Sequence, residues 1–356
     1  MDVTTVDHVE FYVGDAEQTA RFLCDAFGFR CIGQGGPSTG LADQRSLLLG
    51  QGHIRLLVTS GTAASHPASR YVRRHGDGVA RVALRTADAA AAYAEAVGRG
   101  ATPVAEPRAW RRDDAVVLTA AVGGPGGLAH TLVERRGPEG AFLPGGIELL
   151  PPEPESADDR LDIVDHAALC VPADQLVPTV RFYERVFGFR DIFQERVEVG
   201  EQAMDSTVVQ SESREVTFTI VAPDPACRPG QLDDFLRAND GGGVQHLALS
   251  TADITEAVAV FGARGVRFLK TPDSYYDAIE GRLGHIGRSV GALRAGSVLV
   301  DRDHWGEMFQ IFTESPFERR TFFFELIERH GAQTFGSNNI KALYEAKERS
   351  RAGADA

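Results

Sequence analysis

The chain has 356 residues, 43% of them hydrophobic and 24% charged, enough material for two domains with full cores. Acidic residues outnumber basic ones 50 to 37, a net charge of -13, and no lysine- or arginine-rich block stands out, which argues against nucleic acid as a partner. No apolar run reaches the ~20 residues of a membrane-spanning helix, the opening MDVTTVDHVE lacks the features of a leader, and Cys24, Cys31, Cys170 and Cys227 form no CxxC pair; the expectation is a cytoplasmic protein with reduced thiols and no membrane.

In chain order, the first signal is a pair of blocks that return. Val6-Asp7-His8-Val9 recurs as Val164-Asp165-His166-Ala167, and Arg21 to Arg30 recurs as Arg181 to Arg190, each closing on Phe-Gly-Phe-Arg. Further on, Gly78 to Asp88 matches Gly243 to Asp253, and His130 to Arg135 matches Phe324 to Arg329. Four matches in one order predict a duplicated domain. Between the copies, Gly137 to Asp162 carries Pro138, Pro144, Pro151, Pro152 and Pro154 with an acidic end, the composition of a linker. The expected organisation is a first domain over 1–150, a linker over 151–160 and a second domain over 161–356.

Within the second copy the pattern predicts a strand at Asp165–Val171, a helix at Val177–Phe187 closed by Gly188, further strands, a second strand at Val244–Ser250 and a helix over Thr251–Gly265. Asp88 and Asp253 stand where a helix N-cap is wanted. The unit is a strand, a helix and several short strands, four times over. This predicts an α+β fold of curved, half-closed sheets with helices outside, and a curved sheet lets inward-pointing polar residues converge.

Near the end lies Thr321 to Arg329, an almost continuous apolar run with one carboxylate, Glu325, in its middle. Such a run reads as a strand buried on both faces. Glu325 is then a paired structural charge or a metal ligand, unless the strand lies at an edge and the acid faces solvent. His166 and His246 begin two of the predicted units, 80 residues apart, and Glu325 follows 79 residues later. Two histidines and a carboxylate with open positions beside them form the facial set of non-haem iron(II) oxygenases. In the first copy only His8 is kept; Arg81 and Thr131 take the other positions. That half is expected to be a metal-free scaffold.

The motifs Val164-Asp165-His166, Gly243-Val244-Gln245-His246-Leu247-Ala248, Phe309-Gln310-Ile311-Phe312-Thr313, Phe323-Phe324-Glu325 and Phe335 to Leu343 resemble the vicinal-oxygen-chelate dioxygenases that act on 4-hydroxyphenylpyruvate. The resemblance covers nearly the whole chain and implies tandem βαβββ modules and Fe(II) held by His166, His246 and Glu325. It also implies a cavity lined by Ser206, Thr219, Val221, Gln231, Gln245, Gln310, Phe312, Phe323, Phe335, Asn339 and Ile340. The partners it implies are a small 2-oxo acid and dioxygen; a homodimer or homotetramer is the base-rate expectation. A C-terminal helix from Phe335 to Glu348 would cover the cavity mouth.

The family has members that attack the ring and form homogentisate, and members that hydroxylate the benzylic carbon and form 4-hydroxymandelate. Ring-attacking members typically read Pro-Ile-Asn where this chain has Thr219-Ile220-Val221, and Asn-Phe-Lys where it has Asn339-Ile340-Lys341. Met204 to Ser211 also resembles the mandelate-forming members. The expected reaction is therefore 4-hydroxyphenylpyruvate with dioxygen to 4-hydroxymandelate and carbon dioxide. Homogentisate formation is the alternative, and a non-catalytic small-ligand-binding protein of the same fold stands behind both.

Overall fold

The computed structural model describes residues 1–137, 140–151, 159–336, 338–339 and 341–342. The first half runs β1 (Val3–Tyr12), α1 (Ala16–Phe27), β2 (Arg30–Gly35), β3 (Gln44–Gln51), β4 (Ile54–Gly61), α2 (Pro67–His75), β5 (Gly78–Thr86), α3 (Ala89–Gly98), β6 (Thr102–Arg112), β7 (Ala115–Gly123), β8 (Ala129–Arg136) and β9 (Glu148–Leu149). The second runs β10 (Val164–Cys170), α4 (Leu176–Phe182), β11 (Arg190–Val199), β12 (Gln202–Gln210), β13 (Thr217–Pro223), α5 (Gln231–Ala238), β14 (Gly243–Ser250), α6 (Ile254–Ala263), three short helices α7 (Asp273–Asp277), α8 (Ile279–Leu283) and α9 (Val290–Gly296), then β15 (Leu299–Arg302), β16 (Glu307–Phe312) and β17 (Phe323–His330).

Each half forms one sheet, in the orders β6-β7-β8-β5-β1-β4-β3-β2-β9 and β11-β12-β13-β10-β14-β17-β16-β15. Within every module the first strand lies parallel to the last, as β10 does to β13 and β14 to β17. The two modules of a half join through an antiparallel pair of first strands, β1 with β5 and β10 with β14. Four βαβββ modules in two curved sheets are thus present, as the repeat predicts.

Local chemistry sets the element ends. Asp15, Asp88 and Asp253 cap α1, α3 and α6 by accepting from the backbone N–H of Gln18, Ala91 and Glu256. Helix α4 widens into a π-turn over Tyr183–Phe187 and stops at Gly188, whose φ of 73° suits glycine. The short helices α7 to α9, inserted before β15, have no counterpart in the other modules and no periodic signal announces them.

The stretch read by composition as linker is partly packed. Phe142 and Ile147 are buried beside Leu41, Leu48 and Leu57, and β9 joins the first sheet by pairing with β2. Its glycines serve close approach rather than freedom: a Cβ on Gly146 would lie 2.6 Å from the Trp110 ring. Most of residues 151–160, the helix expected to cover the cavity mouth beyond Ala342, and Ile340 lie outside the described residues.

The apolar run at Thr321 to Arg329 becomes β17, an interior strand between β14 and β16, so the edge-strand reading fails. Its alternation divides the work. Phe322 and Phe324 pack on Phe11 and Phe27 of the first half, with ring centroids 5.2 and 5.1 Å apart, while Phe323 and Glu325 turn to the concave face of the second sheet. No described helix is long and apolar enough to cross a membrane.

Candidate metal centre

Residues paired across neighbouring strands share a face of the sheet. One row runs His166, Ala248, Glu325, Phe312 across β10, β14, β17 and β16. The adjacent row runs Val208, Thr219, Ala168, His246, Phe323 across β12, β13, β10, β14 and β17. His166, His246 and Glu325 therefore meet on one concave face, all buried, with one ligand atom from each lying within 4.8 Å of the others. Glu325 Oε2 is 3.6 Å from His166 Nε2 and 3.4 Å from His246 Nε2. These spacings exceed a hydrogen bond and approach the roughly 3 Å edge of a six-coordinate cation with bonds of about 2.1 Å. Two imidazoles and one carboxylate fit ferrous iron in donor chemistry.

Partners around the three fix their aim. His166 Nδ1 lies 2.8 Å from Asp165 Oδ1, and Arg329 donates to both oxygens of Asp165 at 2.7 and 2.9 Å. This orients the His166 ring so that Nε2 faces the centre. A register shift between Val164 and His166 makes room for Asp165 beside its neighbour. Gln310 Nε2 donates to Glu325 Oε1 at 2.8 Å, leaving Oε2 toward the histidines. The Phe323 ring stacks on His246 with centroids 4.9 Å apart, and Phe335 meets His166 edge-on at 5.1 Å.

Burial alone would push the Glu325 carboxyl up and the His166 imidazole down. The charge attraction between Glu325 and the two histidines, together with the hydrogen bond of His166 to Asp165, outweighs it, holding Glu325 down to about 2 and His166 up to about 9. In chelator-treated protein, His166 is then a group whose folded value lies above its ordinary 6.5. Its contribution to stability is complete below that ordinary value and is lost as pH rises through about 9. Thermal unfolding in chelator should fall by a few degrees between pH 7 and pH 9.5, and His166→Gln should flatten that slope.

The expected cavity residues are distributed around this centre. Ser206 and Val221 face one another across β12 and β13 in the row of Cys170, and Thr219 lies in the row of His246. Gln231, Gln245 and Phe323 line one recess of about 440 Å3 with Phe235 and Leu269. Gln245 reaches it because a register shift at Ala168 and Leu169 leaves it unpaired in the ladder beside His246. Phe312 is next to Glu325 on β16. Gln310 and Asn339 are bonded to each other at 2.8 Å. Phe335 stands apart, since it lines a separate recess of about 650 Å3 behind His166 with Asp165 and Arg329. Thr219 Oγ1 and Gln231 Oε1 are buried with no hydrogen-bond partner among the described residues, so both are free to pair with a bound molecule.

Residues 5–137 and 163–311 match the family model of the Glyoxalase/Bleomycin resistance protein/Dioxygenase superfamily. A 4-hydroxyphenylpyruvate dioxygenase of Dictyostelium discoideum is 33% identical over 96% of this chain and 97% of its own length. The chain belongs to the 4-hydroxyphenylpyruvate dioxygenase family. Another dioxygenase of that name, from Danio rerio, is 33% identical over 96% of this chain and 89% of its own. Among solved structures, a mutant form of 4-hydroxymandelate synthase from Streptomyces coelicolor is 41% identical and superimposes with a TM-score of 0.91, covering 99% of this chain and all of that one.

The two halves differ at the positions of the convergent residues. Arg81 pairs with Glu10 across β5 and β1 where His246 pairs with Ala168, and Thr131 stands beside Ala83 where Glu325 stands beside Ala248. Arg81 is spent on the Tyr12 hydroxyl at 3.0 Å and on Glu10. The Asp-His-Arg set, by contrast, is kept: Arg135 holds both oxygens of Asp7, and Asp7 holds His8. Sequence reasoning did not assign Asp165 or Arg329 a part, although the repeated Asp-His and Glu-Arg pairs carried the signal. Tyr275, bonded to Asn339 at 2.9 Å, left no such trace.

Proposed function

We propose that the protein is an Fe(II)-dependent dioxygenase that converts 4-hydroxyphenylpyruvate and dioxygen to 4-hydroxymandelate and carbon dioxide. The observation that carries this reading is the convergence of His166, His246 and Glu325 on one concave face whose neighbouring row holds Thr219 in place of the proline of ring-attacking relatives. His166, His246 and Glu325 would hold the iron. Bound ferrous iron supplies the activation of dioxygen that oxidative decarboxylation requires.

The remaining work falls to the chain's own residues. The partnerless Thr219 hydroxyl and Gln231 amide oxygen can accept from or pair with the substrate's polar ends without competing for the metal. Phe312 and Phe323, buried beside Glu325 and His246, exclude water from the centre, and Phe335 covers His166 from behind. Val221 offers an apolar wall with Met204, Leu232 and Phe235, so no amide at that position holds the ring, and the benzylic carbon can lie nearest the oxidant. A displacement of about 1 Å decides between two such outcomes. The first half would serve as a metal-free scaffold that buries the convex side of the second sheet.

Product analysis tests the reading. Incubation with Fe(II), ascorbate, oxygen and 4-hydroxyphenylpyruvate, followed by separation of the acids, is expected to give 4-hydroxymandelate as the main product. Homogentisate as the main product would overturn it in favour of the second reading, which the names of the curated relatives favour.

A further inference from the structure

The carboxylate Glu325 is the inner end of a hydrogen-bonded chain that runs outward to the surface. Gln310 Nε2 donates to Glu325 Oε1 at 2.8 Å, Asn339 Nδ2 donates to Gln310 Oε1 at 2.8 Å, and the Tyr275 hydroxyl lies 2.9 Å from Asn339 Oδ1. At the outer end, the Tyr275 oxygen receives the Val300 N–H and an Arg282 N–H, both at 3.0 Å. These two donors fill the lone pairs of the phenol oxygen, which leaves it one proton to give. Val300 O, also within reach of that proton, is already served by Arg282 at 2.9 Å. Asn339 Oδ1, on a residue with no exposed surface, has no other donor among the described residues. Giving the phenol proton to Asn339 is the arrangement that leaves each of these groups with a partner.

The chain has a polarity, and only one sense of it suits the site. In the reversed sense Tyr275 would have to accept from Asn339, but its acceptor positions are taken. Reversal would also set Gln310 Oε1 against Glu325, two acceptors face to face. In the observed sense Glu325 Oε1 is tied back by Gln310 and only Oε2 faces the two histidines.

We infer that Tyr275, anchored by Arg282, is a positioning residue that confines Glu325 to ligation through one oxygen and so keeps a coordination position open for the 2-oxo acid. This rests on the proposed role of Glu325 as a metal ligand. Without the phenol proton, Asn339 Oδ1 is a buried acceptor lacking a donor, its side chain turns to find one, and Gln310 loses its hold. Glu325 then regains its second oxygen and spreads over the position the substrate needs.

The test compares wild type, Tyr275→Phe, Asn339→Ala and the double variant, each loaded with Co(II) for its visible absorption spectrum and with Fe(II) for turnover. Tyr275→Phe keeps the ring, and is expected to change the Co(II) spectrum and raise KM for 4-hydroxyphenylpyruvate about tenfold, the effect of one unsatisfied buried acceptor, with a smaller change in kcat. In the double variant Tyr275→Phe should add nothing to Asn339→Ala. A Co(II) spectrum and KM equal to wild type, or additive effects, overturn the inference. If wild type itself turns over no 4-hydroxyphenylpyruvate, the functional reading fails while the Co(II) spectra still decide the role of Tyr275. Should Tyr275→Phe prove insoluble, Arg282→Met, at an exposed position, is expected to shift the Co(II) spectrum in the same direction by less, because Val300 O then competes for the phenol proton; an unchanged spectrum overturns the inference equally.

Discussion

Glu325→Ala is expected to lower kcat/KM for 4-hydroxyphenylpyruvate by at least about a thousandfold, a barrier increase of roughly 4 kcal/mol, and to abolish stoichiometric iron binding while leaving the fold intact. The usual objection to such a test is that removing a buried charge wrecks the protein. Here the first half answers it: Thr131 occupies the corresponding position in a sheet of the same topology, so the fold does not require an acid there. The substitution does leave His166 without the carboxylate that raises its pKa, but that imidazole can become neutral while Asp165 still holds its Nδ1. Thermal unfolding in chelator should therefore change far less than activity does. Glu325→Gln, which keeps the shape and the neighbour Gln310, should fail nearly as badly, because a neutral amide is a poor ligand for a hard cation. Iron content is measured on the purified variants and turnover by product separation. Retained turnover in Glu325→Ala would remove the metal reading and leave a small-ligand-binding protein of this fold as the better account.

How much of this was legible in the sequence depends on whether a feature repeats. The strands that begin each module, their caps at Asp88 and Asp253 and the closing Gly188 each recur in the other half, and a pattern met twice at one spacing predicts well. No local motif links His166, His246 and Glu325 across separations of 80 and 79 residues; their donor chemistry and the family resemblance named them, and the pairing of β10, β14 and β17 in one sheet brings them together. Helical elements found once were lost. Helices α7 to α9 have no partner in the first half, and with them went Tyr275 and its link to Asn339. The packed stretch around Phe142 looked like linker because its glycines and prolines are read as freedom by composition, whereas Gly146 is there to let Trp110 approach. Asp165 and Arg329 failed for another reason. A buried carboxylate and guanidinium in contact are as consistent with fold as with chemistry, and Asp7 with Arg135 in the first half shows that the pair persists where the other two ligand positions differ.

The proposed preference for 4-hydroxymandelate should be reversible in part by substitutions at Val221 and Ile340. The double variant Val221→Asn with Ile340→Phe is expected to raise the ratio of homogentisate to 4-hydroxymandelate about tenfold, roughly 1.4 kcal/mol between two competing barriers. Val221 is buried at 6% exposure on β13, directly across from Ser206 on β12, in a cluster with Met204, Leu232 and Phe235. An asparagine there gains a neighbouring hydroxyl and can hold a phenol oxygen at that wall, drawing the ring along the cavity. The phenylalanine following Asn339 supplies an aromatic face that the native chain lacks at that position. Neither change removes His166, His246 or Glu325, so turnover should continue. Thr219→Pro is a poorer tool. Thr219 sits inside β13 between β10 and β12, where a missing N–H and a fixed φ disturb the ladder beside His166. An amide placed among Met204, Leu232 and Phe235 is expected to reduce stability by about 1–3 kcal/mol unless substrate or Ser206 satisfies it. That cost provides an internal check: added 4-hydroxyphenylpyruvate should recover more thermal stability in the variant than in wild type if the asparagine meets the substrate. An unchanged product ratio in a variant that still turns over would show that ring placement is decided elsewhere in the cavity.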